Sequence, residues 1–270
     1  MSDQRTALVT GASSGIGVAI AVELGRLGWR VGLGARRMDR LEETATAVRA
    51  AGGTTCVAEL DVTDPASVES CFAAVEATLG PIDALVNNAG MAVPGWLHRT
   101  TPDAVQQEVA TNLVGPILTS RIAIAAWRER GARGDIVFIT SDATRHARPR
   151  MATYTATKAG LEALAHCVAL ECEGTGIRST VVRVGPTTST EFGTGWPIDE
   201  LEDLMTYWPR FGLHRHNGLL DPEAIARAVA MVLTAPPGVR FDTIEVQPEA
   251  PVDDDRTGQI IERPPARTRE

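Results

Sequence analysis

The stretch Thr10-Gly11-Ala12-Ser13-Ser14-Gly15-Ile16-Gly17 stands between an apolar run, Thr6–Thr10, and an amphipathic segment, Gly15–Gly28. A strand, a glycine-rich turn and a helix are predicted there, in that order. Glycines permit the tight turn and let backbone approach a pyrophosphate, whose charge then sits at the positive helix N-terminus. A Gly-rich turn alone often serves only packing. Here it occupies the first strand–helix turn of a βαβ unit, where a dinucleotide fingerprint belongs.

Working outward, the same alternation continues along the chain. Arg30–Ala35, Thr54–Leu60, Ile82–Asn87, Asp135–Ser141, Arg178–Val184 and Asp242–Val246 read as further buried strands. Between them lie helix-like segments at Asp39–Ala51, Pro65–Leu79, Pro102–Arg130, Ala152–Gly174 and Pro222–Leu233. Strands apolar throughout, separated by helix-length periodic segments, signal a parallel sheet covered on both faces. The expected class is α/β: a Rossmann-like, doubly wound parallel sheet of about seven strands. A single domain is expected over residues 1–250, followed by a Pro- and charge-rich tail, 251–270, without a core of its own.

Composition narrows the function. The 270 residues carry 26 Lys and Arg against 34 Asp and Glu, a formal charge of −8. That disfavours a nucleic-acid partner, which wants a dense basic face. No apolar run approaches the roughly 18 residues of a membrane span, and the N-terminus enters a strand too soon for a signal peptide. Cys56, Cys71, Cys167 and Cys172 lack C-x-x-C spacing and fit reduced thiols. A cytoplasmic location is expected, with no nucleic-acid or membrane partner. His214 and His216 lack a third ligand at sensible spacing, so no metal site is expected.

The end of the second strand discriminates between cofactors. An acidic residue there would bind the adenosine ribose hydroxyls of NAD. This chain has Gly34-Ala35-Arg36-Arg37 instead. Planar forks of donors suit a ribose 2′-phosphate, which points to NADP(H). Further along, Tyr154 precedes Lys158 by four residues on a predicted helix, so the two share a face. A phenol with a pKa of about 10 is a poor base alone. A fixed positive charge nearby stabilises phenolate and moves it toward working pH.

Taken together, these motifs resemble those of the short-chain dehydrogenase/reductase family across residues 5–250. The resemblance rests on Thr10–Gly17, on Asp61-Val62 after the third strand, and on Asn87-Asn88-Ala89-Gly90 after the fourth. Asn112, Ser141, Tyr154 and Lys158 complete it. It implies a strand order of 3-2-1-4-5-6-7, a homodimer or homotetramer, and interconversion of a small-molecule ketone or aldehyde with an alcohol. In that frame Tyr154 is the acid or base, Ser141 holds the carbonyl oxygen, and Lys158 lowers the tyrosine pKa and binds the nicotinamide ribose. Asn112 holds a water relay in a kinked helix. Gly11, Ser13, Ser14, Gly15, Ile16, Gly17, Arg36 and Arg37 bind the phosphates, Asp61 and Val62 the adenine. Asn88, Ala89 and Gly90 line the cofactor, and Asn87 ties strands together. Thr187 and Ser189 reach the carboxamide, and Gly185 is a further cofactor-binding residue.

Departures from the pattern are visible. Asp142 follows Ser141 where a second serine is common, and Val184-Gly185-Pro186 replaces Pro-Gly. The last strand ends Ile244-Glu245-Val246-Gln247-Pro248 in place of Asp-Gly-Gly. Residues 187–217, rich in aromatics, fall at the family's substrate lid; they read as a flap over a bulky apolar substrate or as cover for the sheet edge. Arg145, His146, Arg148 and Arg150 read either as solvent- or subunit-facing, or as recognising an anionic substrate group. Trp127 and Cys167 are expected in the core or at a subunit interface. Two other activities stay open: a non-catalytic NADP(H)-binding sensor, and a non-redox dehydratase or epimerase on the same fold.

Overall fold

The computed structural model describes residues 4–188, 190–191, 196, 198–211, 213 and 218–250. Ser189, Phe192, His214, His216 and the tail 251–270 lie outside the described residues.

Seven parallel strands form one sheet in the order β3-β2-β1-β4-β5-β6-β7, the order the resemblance implies. They are β1 (Thr6–Thr10), β2 (Arg30–Ala35), β3 (Thr54–Glu59), β4 (Ala84–Asn87), β5 (Gly134–Ser141), β6 (Ile177–Val184) and β7 (Thr243–Val246). In β1, β4 and β5 every residue is buried, as a sheet covered on both faces requires. β4 starts two residues later than the apolar run because Ile82 is engaged elsewhere. Its carbonyl accepts from Trp127 Nε1 at 2.7 Å and Arg130 Nη2 at 3.0 Å. Trp127 is thereby a core residue, whereas Cys167 is exposed; all four thiols are free.

One face is covered by α1 (Gly15–Arg26), α2 (Met38–Ala50) and α8 (Pro222–Leu233), the other by α3 (Pro65–Leu79), α5 (Gly115–Arg130) and α6 (Ala152–Glu171). Asp64 starts α3 by accepting the Ala66 N–H at 3.0 Å, with Pro65 at the first helical position, where its missing N–H costs nothing. Between α4 (Pro102–Val109) and α5 the helix widens into one π turn, Ala110–Val114, which is the expected kink at Asn112. Pro102–Arg130 is long and apolar enough, by length and composition, to cross a membrane. That corrects the expectation that nothing approaches such a span; Thr119, Ala123 and Trp127 of this helix are buried in the protein. A further helix, α7 (Ile198–Tyr207), lies in the aromatic segment.

Candidate active site

The carboxyl ends of β1, β2, β4, β5 and β6 open into one cavity of about 1210 Å³, where open α/β sheets place their ligands. Gly11, Ser13, Ser14, Gly15, Ile16, Arg36, Arg37, Asp61, Val62, Asn88, Ala89 and Gly90 line it. Ser141, Tyr154, Lys158, Gly185 and Thr187 line it too. Gly17 and Asn112 stand just behind the wall, and Ser189 falls outside the described residues.

The glycine turn is built for close approach. Gly11 adopts φ +67°, and a Cβ there would stand 2.8 Å from Ala89 Cα. A Cβ on Gly17 would overlap the Gly11 carbonyl and stand 2.7 Å from Asn88 Nδ2. Asn88 holds the turn against β4 by donating to the carbonyls of Thr10 and Gly11 at 3.0 and 3.2 Å. Asn87 pairs β4 with β5 in register with Phe138, and its side chain joins β4 to α5, donating to Ser120 Oγ at 3.0 Å and accepting from Thr119 Oγ1 at 2.7 Å.

At the second strand the two arginines divide. Arg37 Nη2 donates to Ser13 Oγ and Ser14 Oγ at 3.0 and 3.1 Å and pairs with Glu191 at 2.7 Å. Hydrogen bonds from Arg37 hold the Glu191 carboxyl below the usual range. Arg36 stays exposed on the rim, near Asp61. Guanidinium, two hydroxyls and a helix N-terminus at one place make an anion site. Backbone clearance at Gly11 and Gly17 fits a pyrophosphate beside it.

Tyr154 and Lys158 project from one face of α6, with Lys158 Nζ 5.8 Å from the phenol ring centroid. Nζ donates to the Ile139 carbonyl at 2.9 Å, and burial lowers the Lys158 pKa to about 8. Burial likewise pushes the Tyr154 phenol up to about 12, against a hydrogen bond from Ser141 that favours ionisation. The phenol is thus raised rather than lowered as expected, and burial is the largest cause. Asn112, in the π turn, is clamped: it donates to the Met91 carbonyl at 2.8 Å and accepts the Met91 N–H at 2.8 Å. It also reaches Thr157 Oγ1 at 3.2 Å. Asn112 Oδ1 and Lys158 Nζ flank Gly90, each 3.3 Å from where its Cβ would be.

One carboxylate aligns the end of β5 with α6. Thr140 and Thr144, on either side of Ser141, both donate to Glu162 Oε1, at 2.9 and 2.8 Å. Arg183 of β6 pairs with Glu162 at 2.7 Å. Since Glu162 follows Lys158 by one helical turn, it fixes the end of β5 against the face of α6 that carries Tyr154.

The arginine loop is the main surprise. Arg145 faces solvent, paired with Glu245 at 2.9 Å, as the blander expectation had it. Arg148 and Arg150 do not: they are 8% and 5% exposed. Arg150 pairs with Glu200 and Asp203 of α7, and Arg148 with Asp142. Asp142, Arg148, Met151, Glu200 and Leu219 line the cavity with Trp196 and Trp208. The unusual Asp142 after Ser141, the loop arginines and the aromatic segment were the sequence signals for this wall.

Glu108 is 0% exposed; its Oε1 accepts the Val93 N–H at 2.9 Å, and its Oε2 has no partner among the described residues. Burial raises its pKa, so the fold prefers the acid form. Its contribution to stability is complete below the unfolded pKa and fades as pH rises through the folded one. Glu108→Gln keeps an acceptor and removes the charge. Its thermal midpoint, relative to the parent, should rise from pH 5 to pH 9; a constant difference in melts across that range contradicts this.

Comparison with known proteins agrees with this geometry. The family model for short chain dehydrogenase matches residues 5–200. A putative ketoacyl reductase of Streptomyces coelicolor is 37% identical over 244 residues, covering 86% of this chain and 90% of that protein. Glycine betaine reductase ATRR of Emericella nidulans is 34% identical over 244 residues, 90% of this chain. This chain spans only 19% of the length of that relative. Among solved structures, an alcohol dehydrogenase from the archaeon Thermococcus sibiricus, complexed with 5-hydroxy-NADP, superposes with a TM-score of 0.77 at 30% identity. That match covers 90% of this chain and 96% of the other. The chain belongs to the short-chain dehydrogenase family and is an oxidoreductase of that family.

Proposed function

We propose that this enzyme interconverts a ketone or aldehyde with an alcohol using NADP(H), with Tyr154 as the group that gives or takes the proton. The observation that carries the reading is the joining of two sites in one cavity. The glycine turn and Arg37 form an anion cradle at one end, and the hydrogen-bonded Ser141–Tyr154 pair, with Lys158, stands at the other. Bound in that cradle, the cofactor would supply or accept the hydride. Ser141 would hold the carbonyl oxygen, Tyr154 would protonate it, and Lys158 would hold the nicotinamide ribose. Thr187 would hold the carboxamide, with Gly185 beside it, and half-buried Asp61 and buried Val62 the adenine. Met151, Trp196, Trp208 and Leu219 on the cavity wall support a bulky, largely apolar substrate. A panel of carbonyl compounds followed by NADPH absorbance, with bulky cyclic ketones and β-keto thioesters included, tests the activity. No oxidation of NADPH by any of them would count against it.

Cofactor choice is tested separately. Charge-assisted hydrogen bonds contribute roughly 1.5–3 kcal/mol each, so NADPH should bind more than about tenfold tighter than NADH. Arg37→Ala and Arg36→Ala should each narrow that gap. Fluorescence titration with both cofactors decides it, and equal affinities in the parent contradict the assignment. A cytoplasmic homodimer or homotetramer belongs to the same reading. Val114, Ile117 and Leu170, exposed on the π turn, α5 and α6, support association of copies, which sedimentation measures.

A further inference from the structure

Ser141 has one hydroxyl proton and two neighbours that compete for it. In the structure the hydroxyl donates to Asp142 Oδ1 at 3.4 Å. Its oxygen accepts the Ala143 N–H at 3.2 Å and lies in hydrogen-bond contact with the Tyr154 phenol. Asp142 is 7% exposed, and its other oxygen takes Arg148 Nη2 at 2.6 Å. The Trp208 ring covers that guanidinium, 4.9 Å from its carbon, and Trp208 Nε1 is fastened to the Pro149 carbonyl at 3.0 Å. A buried ion pair thus abuts the catalytic serine at a position where the family commonly has a small hydroxyl.

We propose that Asp142 and Arg148 are positioning residues for the acid: Asp142 draws the Ser141 proton away from Tyr154 and so keeps the phenol protonated, while Arg148 limits that pull. With the proton of Ser141 on Asp142, Ser141 offers Tyr154 a lone pair, so the phenol donates and stays neutral. For the phenol to ionise, Ser141 must swing its proton from Asp142 to the phenolate, against the attraction of a carboxylate. At 3.4 Å that bond is long enough to yield during turnover. The resting site is therefore set to give a proton to a carbonyl oxygen rather than to take one from an alcohol. This sense of direction rests on the function proposed above; the protonation of Tyr154 does not.

The charges that face the phenol from each packed element can be named. Asp142 lies on the turn after β5, Arg148 on the following loop, Glu108 on α4 and Lys158 on α6 itself. Burial is the largest influence against ionisation; the Ser141 hydrogen bond and Arg148 favour it, and Asp142 and Glu108 oppose it. Burial, Glu108 and Lys158 are common to any variant at the ion pair. Changing Asp142 or Arg148 therefore reads that pair alone, and the two should act with opposite sign, which a purely structural role would not produce.

The chain has only two tyrosines, Tyr154 and Tyr207. In a Tyr207→Phe background, which keeps the ring edge-on to Trp96, phenolate absorbance after rapid pH jumps reports Tyr154 alone. Asp142→Asn should move that titration down by about one pH unit, and Arg148→Gln up by about as much, the influence of one nearby charge at protein dielectric. Arg148→Lys and the double variant Asp142→Asn/Arg148→Gln should stay near the background. Coincident titrations in both single variants, or shifts of the same sign, overturn the proposal. Removing one partner of a buried pair can prevent folding. Should near-ultraviolet dichroism show that, the remaining variants decide: a full-unit shift in the neutral double variant or in Arg148→Lys overturns it. Opposed shifts in a protein that oxidises no NADPH would sink the proposed function and leave this inference standing. Carbonyl turnover with coincident titrations would do the reverse.

Discussion

Tyr154→Phe is expected to lower carbonyl-dependent NADPH oxidation by about 10²–10⁴-fold, the usual contribution of a positioned acid. A hydride delivered to a carbonyl carbon leaves an alkoxide unless a proton arrives with it. Tyr154 is the phenol proposed to supply that proton: it is 8% exposed, hydrogen-bonded to Ser141, and packed against Ala143 and Met151. Phenylalanine keeps the ring in that packing and removes only the hydroxyl. Affinity for NADPH should therefore survive within a few-fold while kcat falls, the signature of an interaction made in the transition state. Near-parent turnover on a verified substrate, with binding intact, would show that the proton comes from elsewhere.

The second large effect is expected at Gly17, where the chemistry is purely steric. An added methyl would overlap the Gly11 carbonyl and press on Asn88 Nδ2 and on Ala12 Cα, 2.7 and 3.0 Å from the Cβ position. Those atoms belong to the cofactor turn, and Asn88 is the side chain that ties it to β4. Relief requires the turn to open. Overpacking of this kind costs about 1–3 kcal/mol; if the turn must open to that extent for the cofactor, Gly17→Ala should weaken NADPH binding by about 5- to 150-fold. Its thermal midpoint should fall by about 5 °C. Fluorescence titration and melting curves measure both. Unchanged affinity would mean that the turn does not touch the cofactor.

These two residues also show what the sequence made legible. Gly17 belongs to a local pattern, strand then glycine turn then helix, whose physical reason is complete within eight residues. Tyr154 and Lys158 share a helix face by spacing alone, and the alternation of apolar runs with amphipathic segments fixed the sheet and its covering. What stayed hidden depends on contacts distant in sequence. The burial of Arg148 and Arg150 follows from Asp142, from Trp208, and from Glu200 and Asp203 on α7. Such a pairing has no periodicity, and arginines in a loop with Pro ordinarily read as solvated. α7 escaped notice because Leu204, buried among its described residues, sits in a segment of Gly, Pro and aromatics. The side-chain partners of Asn87 were not legible, because Thr119 and Ser120 stand on a helix distant in sequence. The burial that raises the Tyr154 phenol and lowers the Lys158 ammonium was not legible, because it is a property of the assembled fold.

The central claim, hydride transfer between NADP(H) and a carbonyl carbon in this cavity, is tested most directly with NADPH carrying deuterium at C4 of the nicotinamide. A carbonyl compound that oxidises the cofactor should yield an alcohol with one deuterium on the former carbonyl carbon, read by mass spectrometry. Only one of the two C4-labelled stereoisomers should deliver it, because a ring held in one orientation would present one face to the substrate. An alcohol without deuterium from either isomer, or a product formed with NADPH left intact, would contradict the account.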